Sequence, residues 1–275
     1  MTITGTTRLA AVLGHPVAHS KSPPMLNAAF AARGIDAVMV PLDIEPAELR
    51  EAVRGLVAMR ALGASVTIPH KLGVAGLCDE LSPAARDIGA VNCLELPGDG
   101  RLIGHNTDEG GFFDGLVSAG FDLRGKRCVI LGAGGSARAV AYALRQARAT
   151  EVFARRPEEV RWARAWPWTA EQLRESLGRA DLVVDCTPVG LGGDDEQAWN
   201  DALPLDALPR GALVATLVYH RVPILLQRAA AAGYSTLDGK AMLVHQGARA
   251  FQVWTGQAAP VAEMRAALDA SLAGT

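Results

Sequence analysis

The chain contains 275 residues, enough for one large domain or two of ordinary size with a substantial buried core. Hydrophobic residues make up 49% and charged residues 20%, which is typical of a globular α/β protein and argues against a disordered or fibrous one. The formal net charge of −2 gives no broad basic field, so nucleic acid is not an expected partner.

Membrane segments and metal sites are not predicted either. No apolar run approaches the roughly 20 residues that span a bilayer, and residues 1–9 lack the apolar core of a signal peptide, so we expect a cytoplasmic protein with no membrane partner. The six histidines and four cysteines fall at no metal-ligand spacing. We expect no bound metal, and reduced thiols at Cys78, Cys93, Cys128 and Cys186.

Alternating apolar strands and amphipathic helices fill the N-terminal part of the chain, which predicts a mainly parallel sheet. In chain order, the predicted elements are a strand at 8–13, a helix at 22–33, a strand at 37–42, a helix at 46–59 and a strand at 64–68. Residues 97–100, Pro-Gly-Asp-Gly, then predict a tight turn that joins strands 91–96 and 101–103 in a hairpin at one edge of the sheet.

A helical stretch follows residue 105, and from Arg127 the strand and helix alternation restarts and predicts a second unit of the Rossmann type. Its predicted elements are a helix to 119, a strand at 128–131, a helix at 136–148, a strand at 151–154, a helix at 170–178, strands at 181–186 and 212–218, and a helix at 223–232 between that last strand and residues 236–237. Two closing helices follow at 241–255 and 261–272. The first carries an apolar stripe, from Leu243 to Trp254, that needs a partner such as the N-terminal domain.

We therefore predict two α/β domains. Residues 1–104 plus 241–275 would form a substrate-binding domain with a mainly parallel sheet. Residues 105–240 would form a Rossmann-like domain that binds a dinucleotide.

A glycine-rich turn joins the strand at 128–131 to the next helix. It matches the dinucleotide pattern G-x-G-x-x-G/A in the context which that pattern requires, with a strand before it and a helix after it. Gly132 permits the tight turn, Gly134 lets the backbone approach a pyrophosphate, and the helix N-terminus faces the anion. The predicted cofactor-binding residues here are Gly132, Ala133, Gly134, Gly135 and Ser136. A glycine-rich turn without a ligand is the alternative.

The end of the next strand indicates which dinucleotide is bound. A NAD site would carry Asp or Glu there, whereas this strand ends in Ala154-Arg155-Arg156. Arginine binds a 2′-phosphate through charge-assisted hydrogen bonds, so the sequence favours NADP(H) as the cofactor. The alternative is that these arginines, like Arg161 and Arg164, only solvate a surface helix.

Lys71 follows the strand at 64–68 and lies in what looks like the first turn of a helix. This location is electrostatically unfavourable for a cation, which suits a proton donor better than a structural charge. In isolation, such a lysine is more often a solvated surface group.

Two further segments combine a helix-capping pattern with a candidate site. Thr107 or Asp108 can cap the helix that begins there, and Ser22 before Pro23 is a good N-cap. Two hydroxyls at a helix N-terminus, Ser20 and Ser22, also make a carboxylate-binding site. The residues alone leave both interpretations open.

These residues together resemble the shikimate dehydrogenase family, and the resemblance extends over nearly the whole chain. It rests on six blocks that occur in the family's order. The blocks are GHPVAHSKSP at 14–23, VTIPHK at 66–71, GAVN at 89–92, NTD at 106–108, GAGGSAR at 132–138 and DGKAMLVHQ at 238–246.

The resemblance implies an oxidoreductase that reversibly reduces 3-dehydroshikimate to shikimate with NADP(H), in the synthesis of chorismate and aromatic amino acids. Lys71 and Asp108 would be the catalytic pair, and Lys71 would exchange a proton with the substrate oxygen. The other residues that the resemblance implies are Ser20 and Ser22 for the substrate carboxylate, Tyr219 at the carboxylate end, Thr67, Asn92 and Gln246 for ring hydroxyls or their neighbours, and Gly239 and Met242 for the nicotinamide pocket. Thr187 and Leu217, at the ends of later strands, are expected along the cofactor.

Departures from the family pattern leave the exact cofactor and substrate open. Ser65 stands where asparagine is frequent, Cys93 replaces a common threonine, and Ala154-Arg155-Arg156 replaces a frequent Asn-Arg-Thr. The alternatives are a quinate or amino-shikimate dehydrogenase, with NAD or dual cofactor use, and, from another class, a non-catalytic dinucleotide-binding sensor. Whether the chain forms a homodimer is also open.

Overall fold

The computed structural model of the chain describes residues 2–190 and 196–274, and it contains two six-stranded sheets. The strands of the first sheet are β1 (Arg8–Gly14), β2 (Ala37–Asp43), β3 (Gly63–Val66), β4 (Glu80–Leu81), β5 (Cys93–Glu95) and β6 (Ile103–His105). Those of the second are β7 (Arg127–Leu131), β8 (Ala149–Ala154), β9 (Ala165–Pro167), β10 (Leu182–Asp185), β11 (Leu213–Thr216) and β12 (Ser235–Leu237). The described helices are α1 (Ser22–Ala32), α2 (Leu49–Ala58), α3 (Pro83–Ile88), α4 (Asp108–Ser118), α5 (Gly135–Ala143), α6 (Ala170–Leu177), α7 (Glu196–Asp201), α8 (Ile224–Ala231), α9 (Lys240–Thr255) and α10 (Val261–Ala273).

The described chain divides into two compact units. One contains the residues up to Gly111 together with those from Leu243 onward, and the other is Phe112–Met242. Both boundaries therefore fall within helices, in α4 and in α9. The sequence-based division, 1–104 plus 241–275 and 105–240, put them near the starts of these helices.

The first turn of α4 stays with the first unit because it packs closely on α9. A Cβ added to Gly111 would lie 2.6 Å from the backbone nitrogen of Gln246, and one added to Gly110 would lie 2.4 Å from the guanidinium carbon of Arg249. Two consecutive glycines thus allow a helix contact that any larger residue would block. Glycines give no apolar periodicity, so the sequence did not indicate this contact.

The first sheet has the strand order β2-β1-β3-β5-β6-β4. The β1 strand pairs in parallel with β2 and β3, β4 pairs in parallel with β6, and β5 pairs antiparallel with β3 and β6. Successive residues of β1 alternate between two apolar cores, to which α1, α9 and α10 contribute on one face and α2 and α3 on the other. Helices on both faces of a mainly parallel sheet confirm the α/β prediction for this unit.

The predicted hairpin is present as β5 and β6, which pair antiparallel with Cys93 opposite His105. The sequence predicted that this hairpin would form one edge of the sheet, and that position is wrong. The two-residue strand β4 pairs with the outer side of β6 and forms the edge instead. A strand this short gives no alternating pattern. The helix α3 that follows β4 was not predicted either; its start is capped by the Ser82 hydroxyl, which accepts a hydrogen bond from the backbone N–H of Ala85 (3.3 Å).

The apolar stripe predicted on α9 packs within the first unit. Its buried residues share a core with α1 and α10. The Phe251 ring centroid lies 5.7 Å from that of Phe30, and a Cβ on Gly247 would lie 2.5 Å from Cε of Met25. The N-terminal partner expected for this stripe is therefore confirmed.

The second sheet is parallel throughout and has the strand order β12-β11-β10-β7-β8-β9. The chain starts in the middle of this sheet, adds β8 and β9 on one side, and then adds the remaining strands on the other. The strand order reverses between β7 and β10, which is the point where doubly wound folds bind their ligands. Helices α4 and α5 contribute to the core on one face, and α6 and α8 to the core on the other. The Rossmann-like prediction is confirmed.

Candidate active site

Lys71 and Asp108 form an ion pair in the first unit. The Lys71 Nζ donates a hydrogen bond to Asp108 Oδ2 over 2.6 Å. The two side chains are only 12% and 6% exposed, so water and salt screen the pair weakly. The structure thus brings together the two residues predicted to be catalytic.

The sheet explains why these two residues meet. The strands β3 and β6 both run antiparallel to β5, which lies between them, so their carboxyl ends lie at the same edge of the sheet. Lys71 follows β3 and Asp108 follows β6. Asn92 directly precedes β5 and therefore lies at this edge as well.

The buried amide of Asn92 orients Asp108. Its Nδ2 donates to Asp108 Oδ1 (2.8 Å) and to Thr107 Oγ1 (3.0 Å), and its Oδ1 accepts from the Thr107 backbone N–H (2.6 Å). Each carboxylate oxygen of Asp108 therefore has its own donor. The sequence predicted Asn92 as a substrate ligand and did not reveal this orienting contact or the part that Thr107 has in it.

No helix begins at Lys71, so the helix-dipole argument made for it from the sequence is wrong. Residues 68–73 form turns, in which His70 N donates to the Thr67 carbonyl (2.9 Å). The Lys71 carbonyl accepts from Val91 N (2.9 Å), which ties these turns to the segment before β5. The charge of Lys71 is matched by Asp108 instead of being opposed by a helix dipole.

The side chain of Asn106, rather than that of Thr107 or Asp108, accepts a hydrogen bond from a backbone N–H in the first turn of α4. Its Oδ1 accepts from Glu109 N (3.4 Å) and its Nδ2 donates to the Ala90 carbonyl (3.0 Å). The side chains of Thr107 and Asp108 are thereby left to contact Asn92 and Lys71. The interpretation of these two residues as mere helix caps is wrong.

Gln246, on α9, lies beside this cluster. It is 7% exposed, its Oε1 is 3.5 Å from Asn92 Nδ2, and its Nε2 donates to the Leu243 carbonyl (2.8 Å). The structure thus groups four residues predicted from the sequence in one buried polar cluster. The members of this cluster are Lys71, Asn92, Asp108 and Gln246, together with Thr107.

The two predicted carboxylate-binding serines lie at the start of α1. The Ser20 hydroxyl accepts a hydrogen bond from Ser22 N (3.3 Å). Ser22 is the first residue of the helix and makes no side-chain cap, so its predicted role as N-cap is wrong. Thr67 follows β3, and a Cβ on Gly14 would lie 2.5 Å from its Cγ2, which places Thr67 against the end of β1. These three residues belong to the same unit as the Lys71 cluster.

The glycine-rich turn lies at the end of β7 in the second unit. Gly132 has a φ of +106°, a region that favours glycine, and its N–H donates to the Phe153 carbonyl (2.8 Å). A Cβ on Gly132 would lie 3.2 Å from backbone atoms of Cys186 and Thr187. A Cβ on Gly134 would meet nothing within 4 Å, so open space lies before the N-terminus of α5.

The other predicted cofactor-binding residues lie near the carboxyl ends of the neighbouring strands. Ala154 ends β8 and is followed by Arg155 and Arg156, Thr187 follows β10, Leu217 follows β11, and Gly239 and Met242 follow β12. Because these strands are parallel, their ends share one edge of the sheet. A Cβ on Gly239 would lie 2.2 Å from the Leu217 carbonyl oxygen, so this approach requires a glycine.

Arg155 and Arg156 are exposed where β8 ends. Arg156 forms an ion pair with Glu159 (2.8 Å), and both side chains lie at the surface. A surface pair of this kind contributes little, so it does not prevent Arg156 from binding a phosphate. Tyr219 follows β11, and its ring packs edge-on against His220 with 6.0 Å between the centroids.

Asp185, at the end of β10, was not predicted from the sequence. It is 3% exposed, and its Oδ1 accepts from both the backbone N–H (2.9 Å) and the hydroxyl (2.7 Å) of Thr187. Burial raises the pKa of Asp185 to about 7, although the two hydrogen bonds from Thr187 oppose this shift. A single acid after an apolar strand gives little signal in a sequence, because it reads as an ordinary strand end.

The burial of Asp185 predicts a pH dependence of stability. Its pKa is 3.8 in an exposed setting and about 7 in the fold, so between these values the folded state binds more protons than the unfolded one. Stability should therefore fall as the pH rises through this window, by at most about 1.4 kcal/mol per pH unit. Asp185→Asn keeps the oxygen acceptor and removes the titration. Thermal unfolding of both proteins from about pH 5 to 8 should show a decline in the wild type that the variant lacks, and parallel curves would contradict the assignment.

The described residues form neither a membrane-spanning helix nor a metal-binding cluster. None of the described helices is long and apolar enough to cross a membrane. Within residues 2–190 and 196–274, no group of three or more His, Cys, Asp or Glu side chains is arranged to hold a metal ion. The four cysteines are free thiols.

Comparison with known proteins identifies the family of the chain. Residues 12–94 match a family model described as the shikimate dehydrogenase substrate binding domain, and residues 241–268 match one described as the shikimate 5′-dehydrogenase C-terminal domain. A shikimate dehydrogenase (NADP(+)) of Symbiobacterium thermophilum is 42% identical, with 98% of this chain and 96% of that protein covered. The chain belongs to the shikimate dehydrogenase family.

Solved structures related to the shikimate dehydrogenase family share the fold. The shikimate 5-dehydrogenase of Thermus thermophilus, in complex with NADP(H) and shikimate, is 35% identical with a TM-score of 0.84, covering 96% of this chain and 99% of that one. The quinate dehydrogenase of Corynebacterium glutamicum, in complex with NAD, is 28% identical with a TM-score of 0.83, covering 96% and 99%. The resemblance inferred from the six sequence blocks is confirmed, but the fold alone does not separate these two activities.

Proposed function

We propose that the chain catalyses the reversible, NADP(H)-dependent reduction of 3-dehydroshikimate to shikimate. The observation that carries this proposal is the buried pair of Lys71 and Asp108, whose geometry is fixed by Asn92. A buried ion pair is costly to maintain and is weak evidence for stability alone. Its position at the carboxyl ends of β3 and β6, within a member of a dehydrogenase family, supports a catalytic role.

Lys71 is the group that we assign to proton transfer. As the ring ketone is reduced, its oxygen gains negative charge, and Lys71 Nζ gives that oxygen a proton; in the direction of oxidation, Nζ takes the proton back. When bound, NADP(H) supplies or accepts the hydride. Asp108 Oδ2 holds Nζ in place, and Asn92 holds the other oxygen of Asp108, so the ammonium is positioned before the substrate arrives.

The remaining polar groups of the first unit are assigned to substrate binding. Ser20 and Ser22, at the start of α1, would hold the ring carboxylate. Thr67, Asn92 and Gln246 would bind ring hydroxyls or their neighbours. These roles, and that of Tyr219 at the carboxylate, stay predictions from the family resemblance.

The second unit supplies groups that fit a phosphorylated dinucleotide. Open space at Gly134 precedes the N-terminus of α5, which is where backbone N–H groups and the helix dipole bind a pyrophosphate. Arg155 and Arg156 are exposed at the end of β8, the usual location of the residue that distinguishes the two nicotinamide cofactors. The open space at Gly134 and the two exposed arginines support NADP(H) as the preferred cofactor.

Replacing both arginines, Arg155→Ala with Arg156→Ala, should raise the KM for NADP⁺ at least about tenfold, because charge-assisted hydrogen bonds to the 2′-phosphate are lost. The KM for NAD⁺, which lacks this phosphate, should change by less than about twofold. Initial rates with each cofactor measure both values. Arg124→Ala, at an exposed arginine paired with Asp122, is the matched control. An equal loss for both cofactors would contradict the role of the arginines.

The function itself is tested with the purified protein and a panel of cyclic acids. We expect kcat/KM to be highest for shikimate with NADP⁺, measured from the absorbance of the reduced nicotinamide. A higher value for quinate or amino-shikimate, or with NAD⁺, would replace this proposal by the alternative activity. Binding of NADP⁺ without turnover of any of these acids would support the non-catalytic sensor.

The cytoplasmic location and a homodimer stay predictions.

A further inference from the structure

An indole ring rests on the glycine-rich turn of the second unit. Trp162 lies between β8 and β9, and its Nε1–H donates a hydrogen bond to the carbonyl of Ala133 over 3.3 Å. The side chain is half-buried. Ala133 directly follows Gly132, so this contact acts on the middle of the turn.

The hydrogen bond from Trp162 fixes the orientation of the whole peptide unit between Ala133 and Gly134. The carbonyl of Ala133 and the N–H of Gly134 belong to the same planar peptide unit and point in opposite directions. Holding the carbonyl toward Trp162 therefore holds the Gly134 N–H away from it. An N–H with a fixed direction beside open space, before the N-terminus of α5, is what an anionic pyrophosphate requires.

A second contact connects the indole to α5. The guanidinium carbon of Arg138 lies 5.9 Å from the centroid of the Trp162 ring, within range of a cation–π interaction. The Arg138 Nε is buried and has no hydrogen-bond partner among the described residues. A cation so close to the N-terminus of a helix is unfavourable on its own, and a bound anion would offset this cost.

Trp162 also lies within an arginine-bearing segment. Residues 155–164 carry four arginines and two glutamates, and these arginines are exposed. The segment has little regular structure besides a short 3₁₀ turn at Pro157–Glu159, so tertiary contacts must hold it in place. The hydrogen bond from Trp162 to Ala133 is such a contact, and it connects this segment to the glycine-rich turn.

We propose that Trp162 is a positioning residue of the cofactor site, which fixes the Ala133–Gly134 peptide for the pyrophosphate and holds segment 155–164 beside the turn for the 2′-phosphate. This proposal rests on NADP(H) being the cofactor. It assigns to Trp162 an effect on cofactor affinity without direct participation in proton or hydride transfer.

The test is Trp162→Phe, which keeps an aromatic ring and removes the N–H donor. Calorimetric titration of the otherwise intact protein with NADP⁺ should show a Kd raised about tenfold, the loss expected for one hydrogen bond. The KM for NADP⁺ should rise by the same factor, whereas kcat and the KM for shikimate should stay within about twofold of the wild type. Trp166→Phe, in the same region but packed on the other face of the sheet, is the matched control and should bind NADP⁺ normally.

An unchanged Kd for NADP⁺ in Trp162→Phe would overturn the proposal, as would an equal loss in Trp166→Phe. If Trp162→Phe lowers the thermal stability of the cofactor-free protein, the Kd for NADP⁺ is measured with benzothienylalanine at position 162 instead. This residue keeps the shape of tryptophan and replaces the N–H with sulfur. A raised Kd then supports the proposal, and a normal Kd overturns it. Failure of the wild type to bind NADP⁺ would instead refute the proposed cofactor.

Discussion

Replacing Lys71 with alanine is expected to lower kcat for shikimate oxidation by about 10²–10⁴-fold, the usual contribution of a positioned acid or base. The ammonium beside Asp108 is the proton donor and acceptor that we assign in the buried cluster. The Kd for NADP⁺ should stay within about twofold of the wild type, because Lys71 belongs to the first unit and the glycine-rich turn to the second. Initial rates and calorimetric titration measure the two effects separately.

Lys126→Ala is the matched control for this variant. Lys126 is also paired with an aspartate, Asp181, at 3.3 Å, but both side chains are 39% exposed and lie outside the polar cluster. Its removal should leave kcat unchanged. A Lys71→Ala protein that binds NADP⁺ and turns over shikimate at nearly the normal rate would refute the assignment of Lys71.

Asp108→Asn is expected to give the second large effect, on both stability and activity. An asparagine of the same shape cannot match the charge of Lys71, and its amide nitrogen would face either the Lys71 ammonium or the Asn92 amide, both of which are donors. Breaking a buried pair in this way should cost about 3 kcal/mol in the free energy of unfolding. We expect kcat to fall by at least about 10²-fold, because the ammonium loses its fixed position.

Denaturant unfolding and initial rates test this prediction, with Asp181→Asn as the control. Asp181 is a half-exposed partner of Lys126, so its replacement should cost about 1 kcal/mol or less and leave kcat unchanged. Equal losses in the free energy of unfolding of the two variants would show that burial does not make the Lys71–Asp108 pair more costly to break than the exposed pair. A normal kcat in Asp108→Asn would contradict the catalytic role that we propose for Asp108.

The sequence was most informative where a local pattern and its context coincide. The glycine-rich turn between an apolar strand and a helix predicted the second unit, because the backbone conformation at Gly132, with a φ of +106°, favours glycine over every other residue type. The strand and helix alternation likewise predicted both sheets. The strands β4 and β9 were missed, since two or three residues cannot show a period. The equally short β5 and β6 were found because the Pro-Gly-Asp-Gly pattern at 97–100 marks the turn between them.

Contacts between distant segments were not predictable in the same way. Nothing local to Asn92 shows that its amide donates to Asp108, 16 positions away, or lies near Gln246, 154 positions away. The helix expected at Lys71 was wrong because turns occupy residues 68–73, and the charge of Lys71 is matched across the sheet instead. Trp162 gave no signal either, because its partner is a backbone carbonyl that any residue at position 133 would provide.

A double-mutant cycle tests most directly whether Lys71 and Asp108 act as one unit. The kcat values of Lys71→Ala, Asp108→Ala and the double variant are compared with that of the wild type, with shikimate and NADP⁺ as substrates. If the carboxylate works only by holding the ammonium, the double variant should be no slower than the slower single variant. Losses that multiply, so that the double variant combines the full deficits of both single variants, would show that the two groups act independently and would contradict this account.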